Sequence, residues 1–201
     1  MNNLPSDFWN ERYADAEYAY GIAPNDFFKA QLDAIKPGDI LLPAEGEGRN
    51  ALHAAKQGWN VTAFDSSSGG RKKAIQLSLD HGVAMHYEVA DVLEFKTNKK
   101  FDVLGFIYAH FPIEIRKAAN QRLIELLKPG GIVIFEAFAK TQLGNPSGGP
   151  KSLEMLFSIE EIEAEFSGIQ FILMEEKFIQ LNEGQFHQGK ADVIRFVGIK
   201  E

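Results

Sequence analysis

The sequence predicts an α/β fold: a doubly wound, seven-stranded mixed sheet with five parallel strands, a C-terminal antiparallel hairpin and helices on both faces. Two observations carry this prediction. Between residues 39 and 138, apolar runs of strand length alternate with helical stretches, which is the rhythm of a parallel sheet. From residue 169 onward, two long strand-like runs are joined by Asn182-Glu183-Gly184, whose residues are typical of a hairpin turn.

Up to residue 89, turn and capping residues set the predicted elements. Ser6 or Asp7 can cap a short first helix, and the sequence Lys36-Pro37-Gly38 ends a second one. Gly58 and the sequence Asp80-His81-Gly82 close two further helices, each of which lies between apolar runs. After the first helix, the predicted order is helix 24–35, strand 40–44, helix 49–57, strand 59–64, helix 70–79 and strand 84–89.

Beyond residue 100 the predicted strands become more apolar. Residues 101–108 and 132–138 are almost continuously apolar, as expected for central strands buried on both faces. Pro112 can begin the helix between them, which ends near residues 128–131. Residues 139–153 form a long loop rich in Gly, Pro and Ser, which is either functional or mobile. A helix at 159–166 and strands at 169–181 and 191–199 complete the order.

Size and composition limit the possible functions. The 201 residues suit a single domain 1–201, which we divide into a helical N-terminal lid (1–36) and a core (37–201). The net charge of −7, without a long basic run, argues against a nucleic-acid partner. There is no cysteine, no apolar run near the ~20 residues of a membrane span and no secretory signal. We expect a cytoplasmic protein, monomeric or homodimeric, with no metal and no membrane partner.

A glycine-rich turn is the strongest single motif. Residues 46–51, GEGRNA, fit the dinucleotide pattern G-x-G-x-x-G/A, and Asp65 follows at about the expected distance of 20 residues. Glu45 and Glu47, however, put two carboxylates where a pyrophosphate would lie, at a helix N-terminus that otherwise attracts anions. The turn therefore favours a nucleoside ligand with a cationic end, such as S-adenosylmethionine.

Two further carboxylates follow strand ends on the same edge of the predicted sheet. Asp65, followed by Ser66, can accept both hydroxyls of a ribose, or it can simply start the turn and cap the next helix. Asp91, followed by Val92, can accept from an adenine amine, or it can cap a brief turn.

Two histidines and a glutamate in a strand that we expect to be buried are the other candidate site residues. His110 follows the strand expected to be most buried, and His187 precedes the last strand; either can be catalytic or structural. Glu136 interrupts an apolar strand and must face a site, a cation or solvent, of which we expect the site. No histidine spacing suggests a metal site. An aromatic group before the sheet is either a packed helix or a lid, and consists of Phe8, Trp9, Tyr13, Tyr18 and Tyr20.

Several motifs recur together in one known family. They are residues 8–13 (FWNERY), Tyr20-Gly21, residues 44–51 (AEGEGRNA), Asp65, Asp91, residues 128–131 (KPGG), Gly148-Gly149-Pro150 and the terminal hairpin. Together they resemble the Rossmann-like class I S-adenosylmethionine-dependent methyltransferases, within them the tellurite-resistance/thiopurine-methyltransferase-like branch. The chain departs from the family at Leu42 and Ala44, where the first-strand motif usually has an acidic residue.

The resemblance implies methyl transfer to a small nucleophile, with S-adenosylmethionine as cofactor. It implies His187 as the candidate base and a substrate pocket formed by His110, Glu136 and Gly149. The implied cofactor contacts are Tyr20, Glu45, Gly46, Glu47, Gly48, Arg49, Asn50, Asp65, Ser66, Asp91 and Val92. Two alternatives remain: a protein that binds S-adenosylmethionine without catalysis, and an NAD-dependent oxidoreductase.

Overall fold

The computed structural model describes residues 6–201, and its sheet has seven strands. They are β1 (Asp39–Pro43), β2 (Asn60–Asp65), β3 (His86–Val89), β4 (Phe101–Ile107), β5 (Leu127–Phe138), β6 (Ile169–Glu183) and β7 (His187–Lys200). Their order is β3-β2-β1-β4-β5-β7-β6. Strands β1 to β5 are parallel, and β7 pairs antiparallel with both β5 and β6. The predicted fold class is confirmed.

Six α-helices cover the sheet. They are α1 (Ser6–Arg12), α2 (Asp26–Leu32), α3 (Arg49–Lys56), α4 (Ser68–Asp80), α5 (Ile113–Glu125) and α6 (Ile159–Glu165). Apolar residues of α2, α3 and α4 pack on one face of the sheet, and those of α5 and α6 pack on the other. The longest described helices have 13 residues, too few to cross a membrane.

The order in which strands are added to the sheet reverses at β1, and this switch in strand order positions the candidate site. Strands β2 and β3 lie on one side of β1, and β4 lies on the other. Loops at the carboxyl ends of β1 and β4 therefore diverge and leave a crevice, which is where open α/β sheets bind ligands. Two short 3₁₀ turns, Lys140–Gln142 and Leu153–Met155, lie in the predicted long loop after β5.

The largest differences from the predicted elements concern strand starts. Strand β5 begins at Leu127, earlier than predicted, because Leu127 already pairs with Phe101 before a bulge. Strand β7 begins at His187 because Glu183 and His187 pair directly at the end of the hairpin. Both extensions depend on long-range pairing, which local composition does not reveal. Residues 1–5 of the predicted lid lie outside the described residues.

Candidate active site

A cavity of about 840 Å³ opens at the carboxyl edge of the parallel strands. It is walled by the glycine turn, the ends of β2 and β4, helix α1 and the loop 146–152. The predicted site residues that line it are Tyr20, Glu45, Gly46, Glu47, Arg49, Asn50, Asp65, Ser66, Asp91, Val92, His110, Gly149 and His187. Gly48 and Glu136 do not line the cavity.

The two glycines of the turn have different roles. Both have positive φ angles, +61° at Gly46 and +87° at Gly48, which favour glycine. A Cβ on Gly48 would lie 2.6 Å from the Cβ of Ala74 in α4, so this glycine permits close packing of the turn against a helix. A Cβ on Gly46 would likewise lie 2.6 Å from the Tyr13 hydroxyl. Gly48 does not line the cavity, and its expected role in admitting the cofactor stays a prediction. Gly46 lines the cavity, and its carbonyl accepts from the Tyr87 hydroxyl at 2.6 Å.

Glu45 caps the helix that follows the turn. Its Oε1 accepts hydrogen bonds from the backbone N–H groups of Asn50 and Ala51, each at 2.8 Å. These are free donors at the N-terminus of α3, where a carboxylate is favourable. Burial raises the pKa of Glu45 to about 7. Glu45 is therefore a poorly solvated carboxylate at the cavity wall, and a nearby positive charge would stabilise its ionised form.

Glu47 also reaches the cavity wall, but its carboxylate has partners from the protein. Its Oε2 accepts from the backbone N–H of Ala19 at 2.8 Å, and its Oε1 lies 2.6 Å from Nζ of Lys73. Both predicted carboxylates therefore lie at the turn, but the charge of Glu47 is already compensated by the protein. Lys73, on α4, neutralises Glu47, and the pairing holds the N-terminal segment against the core.

Asp65 lies at the tip of β2, directly beside the glycine turn. Its Oδ2 accepts from the N–H of Gly46 at 3.0 Å, and its Oδ1 accepts from the N–H of Ser67 at 2.8 Å. Burial raises its pKa to about 6. Asp65 thus starts the turn, as one part of its alternative role predicted, but the helix cap of α4 is Ser67, which accepts from Gly70 N–H, so the other part is wrong. Each carboxylate oxygen keeps a lone pair for a ligand.

Asp91 caps a short turn, which was its predicted alternative role. Its Oδ1 accepts from the N–H of Leu93 at 2.8 Å, and its backbone carbonyl accepts from Glu94 and Phe95. The same residue lines the cavity, next to Val92, which is 5% exposed. A carboxylate has capacity for more than one donor, so the turn does not occupy Asp91 completely.

Arg49 and Asn50 join the turn to distant parts of the chain. Arg49 forms an ion pair with Oε2 of Glu183 at 2.8 Å and donates to the carbonyls of Tyr20 and Ala23 at 3.5 and 3.4 Å. Asn50 Oδ1 accepts from the N–H of Asn25 at 2.9 Å. Arg49 lines the cavity, and Glu183 and two carbonyls take three of the five N–H donors of its guanidinium, so its role in binding the cofactor stays a prediction.

His187 lies between aromatic rings. The ring centroids of Tyr20, Tyr108 and Phe138 are 4.5, 4.7 and 5.2 Å from that of His187. Its Nδ1 lies 3.1 Å from Oε2 of Glu183. Burial lowers the pKa of His187, so the ring is neutral at neutral pH.

His110 has both ring nitrogens engaged by the backbone. Its Nδ1 donates to the carbonyl of Met155 at 2.7 Å, and its Nε2 accepts from the N–H of Phe138 at 3.3 Å. Burial lowers its pKa to about 4, so the ring stays neutral. His110 contributes a wall to the cavity and joins two loops, but it has no free nitrogen to act as a base.

Glu136 corrects the expectation that it faces the site. It is fully buried, forms an ion pair with Arg195 and accepts from the Tyr108 hydroxyl at 2.8 Å and Asn25 Nδ2 at 2.6 Å. Of the three predicted environments of Glu136, a site, a cation or solvent, the structure shows the cation, Arg195. Arg195 comes from β7, which pairs with β5 at this position.

The aromatic residues that precede the sheet were predicted either to pack on the core or to form a lid, and the structure places them in both environments. Phe8, Trp9, Tyr13 and Tyr20 line the cavity, whereas the Tyr18 hydroxyl donates to the Lys73 carbonyl outside it. Asn10 Oδ1 ties α1 to the N-terminus of α4, where it accepts from Ser67 Oγ and Gly69 N–H at 2.8 and 3.0 Å. Helix α1 thus packs on the core with one side and covers the cavity with another.

Several cavity residues were not predicted as site residues. Tyr108 has an unusual positive φ of +53° directly after β4, and Phe138 ends β5. Phe186 stacks beneath the Arg12 guanidinium, 3.9 Å from its ring centroid. The position of Tyr108 and Phe138 after apolar strands was a usable signal, since carboxyl ends of parallel strands share one edge. The Arg12–Phe186 contact had no local signal.

Comparisons with known proteins agree with this geometry. A family model described as "Methyltransferase domain" matches residues 40–131. The chain is 32% identical over 96 residues to a ubiquinone biosynthesis O-methyltransferase of Rickettsia canadensis, a match that covers 48% of this chain and 41% of the relative. The chain thus spans less than half the length of this curated relative.

Solved structures match over almost the whole chain. TehB from Haemophilus influenzae superposes with a TM-score of 0.74 and 15% identity, covering 98% of this chain and 67% of TehB. The N-methyltransferase NodS from Bradyrhizobium japonicum, in complex with S-adenosylhomocysteine, gives a TM-score of 0.69 with 13% identity and 97% coverage of each chain. At such identities the likeness establishes the fold.

Proposed function

We propose that the chain is an S-adenosylmethionine-dependent methyltransferase acting on a small-molecule nucleophile, in line with the match of residues 40–131 to the methyltransferase family model. One observation carries the proposal. A single cavity joins the carboxylates of the nucleoside-binding edge, Glu45, Asp65 and Asp91, to a histidine with a free ring nitrogen, His187. The groups proposed to bind the donor and to activate the acceptor therefore line one cavity.

The residues present fit S-adenosylmethionine better than a dinucleotide. Glu45 and Asp65 are buried carboxylates whose pKa values are raised to about 7 and about 6, so a cationic ligand that donates hydrogen bonds relieves their desolvation. A pyrophosphate would add negative charge beside both. S-adenosylmethionine, when bound, supplies a sulfonium-activated methyl group.

Each cofactor contact has a proposed chemical partner. Asp65 accepts from the ribose hydroxyls, Asp91 and Val92 contact the adenine, and Glu45 faces the methionyl ammonium. Glu45 thereby replaces the acidic residue that the family usually has before its first glycine, where this chain has Leu42 and Ala44. Gly46 lets the turn approach the ligand closely.

The protein's own contribution is alignment and exclusion of water. We propose that α1 and the adjoining segment to Tyr20 form a lid, with Trp9 and Tyr13 over the nucleoside side. Gly149, next to Phe138, closes the acceptor side. His187 Nε2 accepts the proton of an acceptor that carries one. Alignment of two bound reactants can supply a large part of the rate enhancement.

The acceptor is proposed to be small, because a cavity of about 840 Å³ has to hold both the cofactor and the acceptor, and the net charge of −7 disfavours a nucleic-acid acceptor. The similar Rickettsia protein is named for O-methylation and NodS for N-methylation, so oxygen and nitrogen nucleophiles are the first acceptors to screen. We further propose a cytoplasmic monomer or homodimer; size-exclusion chromatography and cell fractionation test these two points.

Calorimetry tests the cofactor. We expect binding of S-adenosylmethionine and S-adenosylhomocysteine and none of NAD; binding of NAD alone would contradict the proposal. A screen of small nucleophiles for release of S-adenosylhomocysteine then tests the reaction. Binding without release by any nucleophile would favour a non-catalytic binding protein.

Substitution tests the base. For an acceptor that carries a proton, His187→Ala should lower turnover by about 10²-fold or more. His86→Ala is the matched control, because the side chain of His86 is 64% exposed and pairs only with Glu88. Equal turnover of the two variants would remove His187 from the reaction.

A further inference from the structure

The hairpin pairs His187 with a carboxylate that local composition did not single out. Glu183, the last residue of β6, lies directly opposite His187, the first residue of β7. Its Oε2 is 3.1 Å from Nδ1 of His187, and only 14% of its side chain is exposed. A carboxylate and an imidazole thus meet in a largely buried contact at the cavity wall.

The Glu183 carboxylate is held from the other side as well. Arg49 donates to the same Oε2 at 2.8 Å, and Asn25 Nδ2 lies 3.3 Å from Oε1. Although burial raises its pKa, the hydrogen bond from His187 and the charge of Arg49 lower the pKa of Glu183 to about 2. The carboxylate is therefore ionised at neutral pH, and its contacts with His187, Arg49 and Asn25 fix its orientation.

An ionised carboxylate only accepts hydrogen bonds. Nδ1 of the neutral His187 ring must therefore carry the proton, which leaves a lone pair on Nε2. Across the described chain, Nε2 has no hydrogen-bond partner. Nε2 lies near the loop at Gly148: a Cβ built on Gly148 would be 3.3 Å from this nitrogen. The other neighbours of the His187 ring are the aromatic rings of Tyr20, Tyr108 and Phe138.

We propose that Glu183 is a positioning residue that holds His187 as the Nδ1–H tautomer, and that the acceptor is a neutral molecule with an apolar body and a weakly acidic O–H, N–H or S–H. The acceptor part rests on the proposed function. In the transfer, the acceptor proton passes to Nε2 of His187 and the acceptor electron pair forms the bond to the methyl carbon. The pair of the broken carbon–sulfur bond remains on sulfur.

The charges around the cavity favour this class over an inorganic oxyanion. Of the cationic side chains that line the cavity within residues 6–201, Arg49 is paired with Glu183. Arg12 donates to the Tyr20 hydroxyl at 3.3 Å and stacks on Phe186. Lys151 is exposed on a loop. The wall around His187 is aromatic and offers an anion little compensation for its desolvation.

Nitrogen NMR of histidine-labelled protein tests the positioning role without turnover. His187 is assigned by comparison with His187→Ala. We expect a protonated Nδ1 and an unprotonated Nε2 in the unmodified protein. In Glu183→Leu the tautomers should mix, because the acceptor for Nδ1–H is gone. A protonated Nε2 in the unmodified protein would overturn the proposal, whether or not any variant folds.

Titration of the same signals measures the effect of the carboxylate. The ionisable side chains packed around His187 are Arg12, Tyr20, Arg49, Tyr108, His110 and Glu183. Because Glu183 raises the pKa of His187 against the effect of burial, Glu183→Gln should lower that pKa further and Glu183→Asp should restore it in part. Glu175→Gln is the control on the same strand, because the Glu175 side chain is 39% exposed and lies beside Lys177 and Arg195, outside the cavity lining. An unchanged pKa in Glu183→Gln would contradict the assignment.

Four probes test the acceptor class: 4-methylphenol, 4-methylaniline, phenylmethanethiol and tellurite. We expect turnover of at least one ring probe, with kcat on the order of 10²-fold lower in Glu183→Gln, little change in KM and a shifted pH profile. Turnover of tellurite alone, or of no ring probe, would overturn the acceptor class. Failure to bind S-adenosylmethionine in calorimetry would instead overturn the proposed function, which keeps the two failures distinct.

Discussion

Replacing Gly148 by alanine should disable the site through one added methyl group. Gly148 has a φ of +127°, and its new Cβ would lie 2.7 Å from Cδ2 of His187 and 2.8 Å from the carbonyl oxygen of Phe186. Carbon atoms in contact prefer about 3.5–4.0 Å. The loop or the imidazole must therefore move by roughly 1 Å, and a displacement of this size can cost about 10²-fold in rate.

Gly144→Ala is the control that distinguishes the steric contact with His187 from the backbone strain of placing alanine at a positive φ. Gly144 belongs to the same loop and also has a positive φ, +92°, but an added Cβ there meets no described atom within 4 Å. Both variants should lose stability, on the order of 1–3 kcal/mol, because alanine disfavours these φ values. Only Gly148→Ala should also lose turnover, by about 10²-fold in kcat/KM.

The assay is release of S-adenosylhomocysteine with the acceptor found by screening, at a temperature where circular dichroism shows both variants folded. Equal turnover of Gly148→Ala and Gly144→Ala would refute the reasoning. It would mean either that the loop does not press on His187 or that the position of His187 does not matter for the reaction. Loss of turnover in both variants would point to the mobility of the whole loop instead.

Three further predictions concern buried charge. Arg116 is fully buried and forms an ion pair with Glu165. Arg116→Met leaves the buried Glu165 carboxylate without its cation and should lower the free energy of unfolding by about 3–5 kcal/mol in urea titrations. A loss below about 1 kcal/mol would show that the missing cation does not destabilise the protein in this way. Asp65→Asn should weaken binding of S-adenosylhomocysteine by about 2 kcal/mol, roughly 30-fold in Kd, whereas Asp102→Asn, outside the cavity, should leave the Kd unchanged in calorimetry. Burial raises the pKa of Glu45 from 4.5 to about 7, so its contribution to stability is full below pH 4.5 and is lost as the pH rises through 7. Glu45→Gln should remove up to about 3 kcal/mol of this pH dependence, and identical denaturation curves at pH 5 and 8 in both proteins would refute it.

Local patterns were enough to predict which edge of the sheet carries the cavity. The glycine turn, Asp65 and Asp91 each follow an apolar run, and parallel strands bring such positions to one edge. The structure does bring them to one cavity. The hairpin was predicted in the same way, from composition and turn residues within about 30 positions of each other.

The roles of charged side chains were predicted less well. Glu47 and Arg49 were assigned to the site because they belong to the glycine turn that resembles a cofactor-binding motif, and Glu136 because a carboxylate in an apolar strand needs a partner. Their partners turned out to be Lys73, Glu183 and Arg195, which lie 26, 134 and 59 positions away in the chain. Sequence spacing contains no information on such pairs, because they form only when separate elements pack.

The sequence by itself determined the fold class, the edge of the sheet that forms the site and the type of ligand that this edge suits, because all three follow from short-range patterns of apolar and turn residues. Only the tertiary structure decided which charges remain for a ligand and which neutralise each other. It also decided the state of His187, since Glu183 and Arg49 reach its Nδ1 side only when the hairpin packs on the glycine turn. Electrostatic energies depend on distance and burial, and both are set by the packed fold.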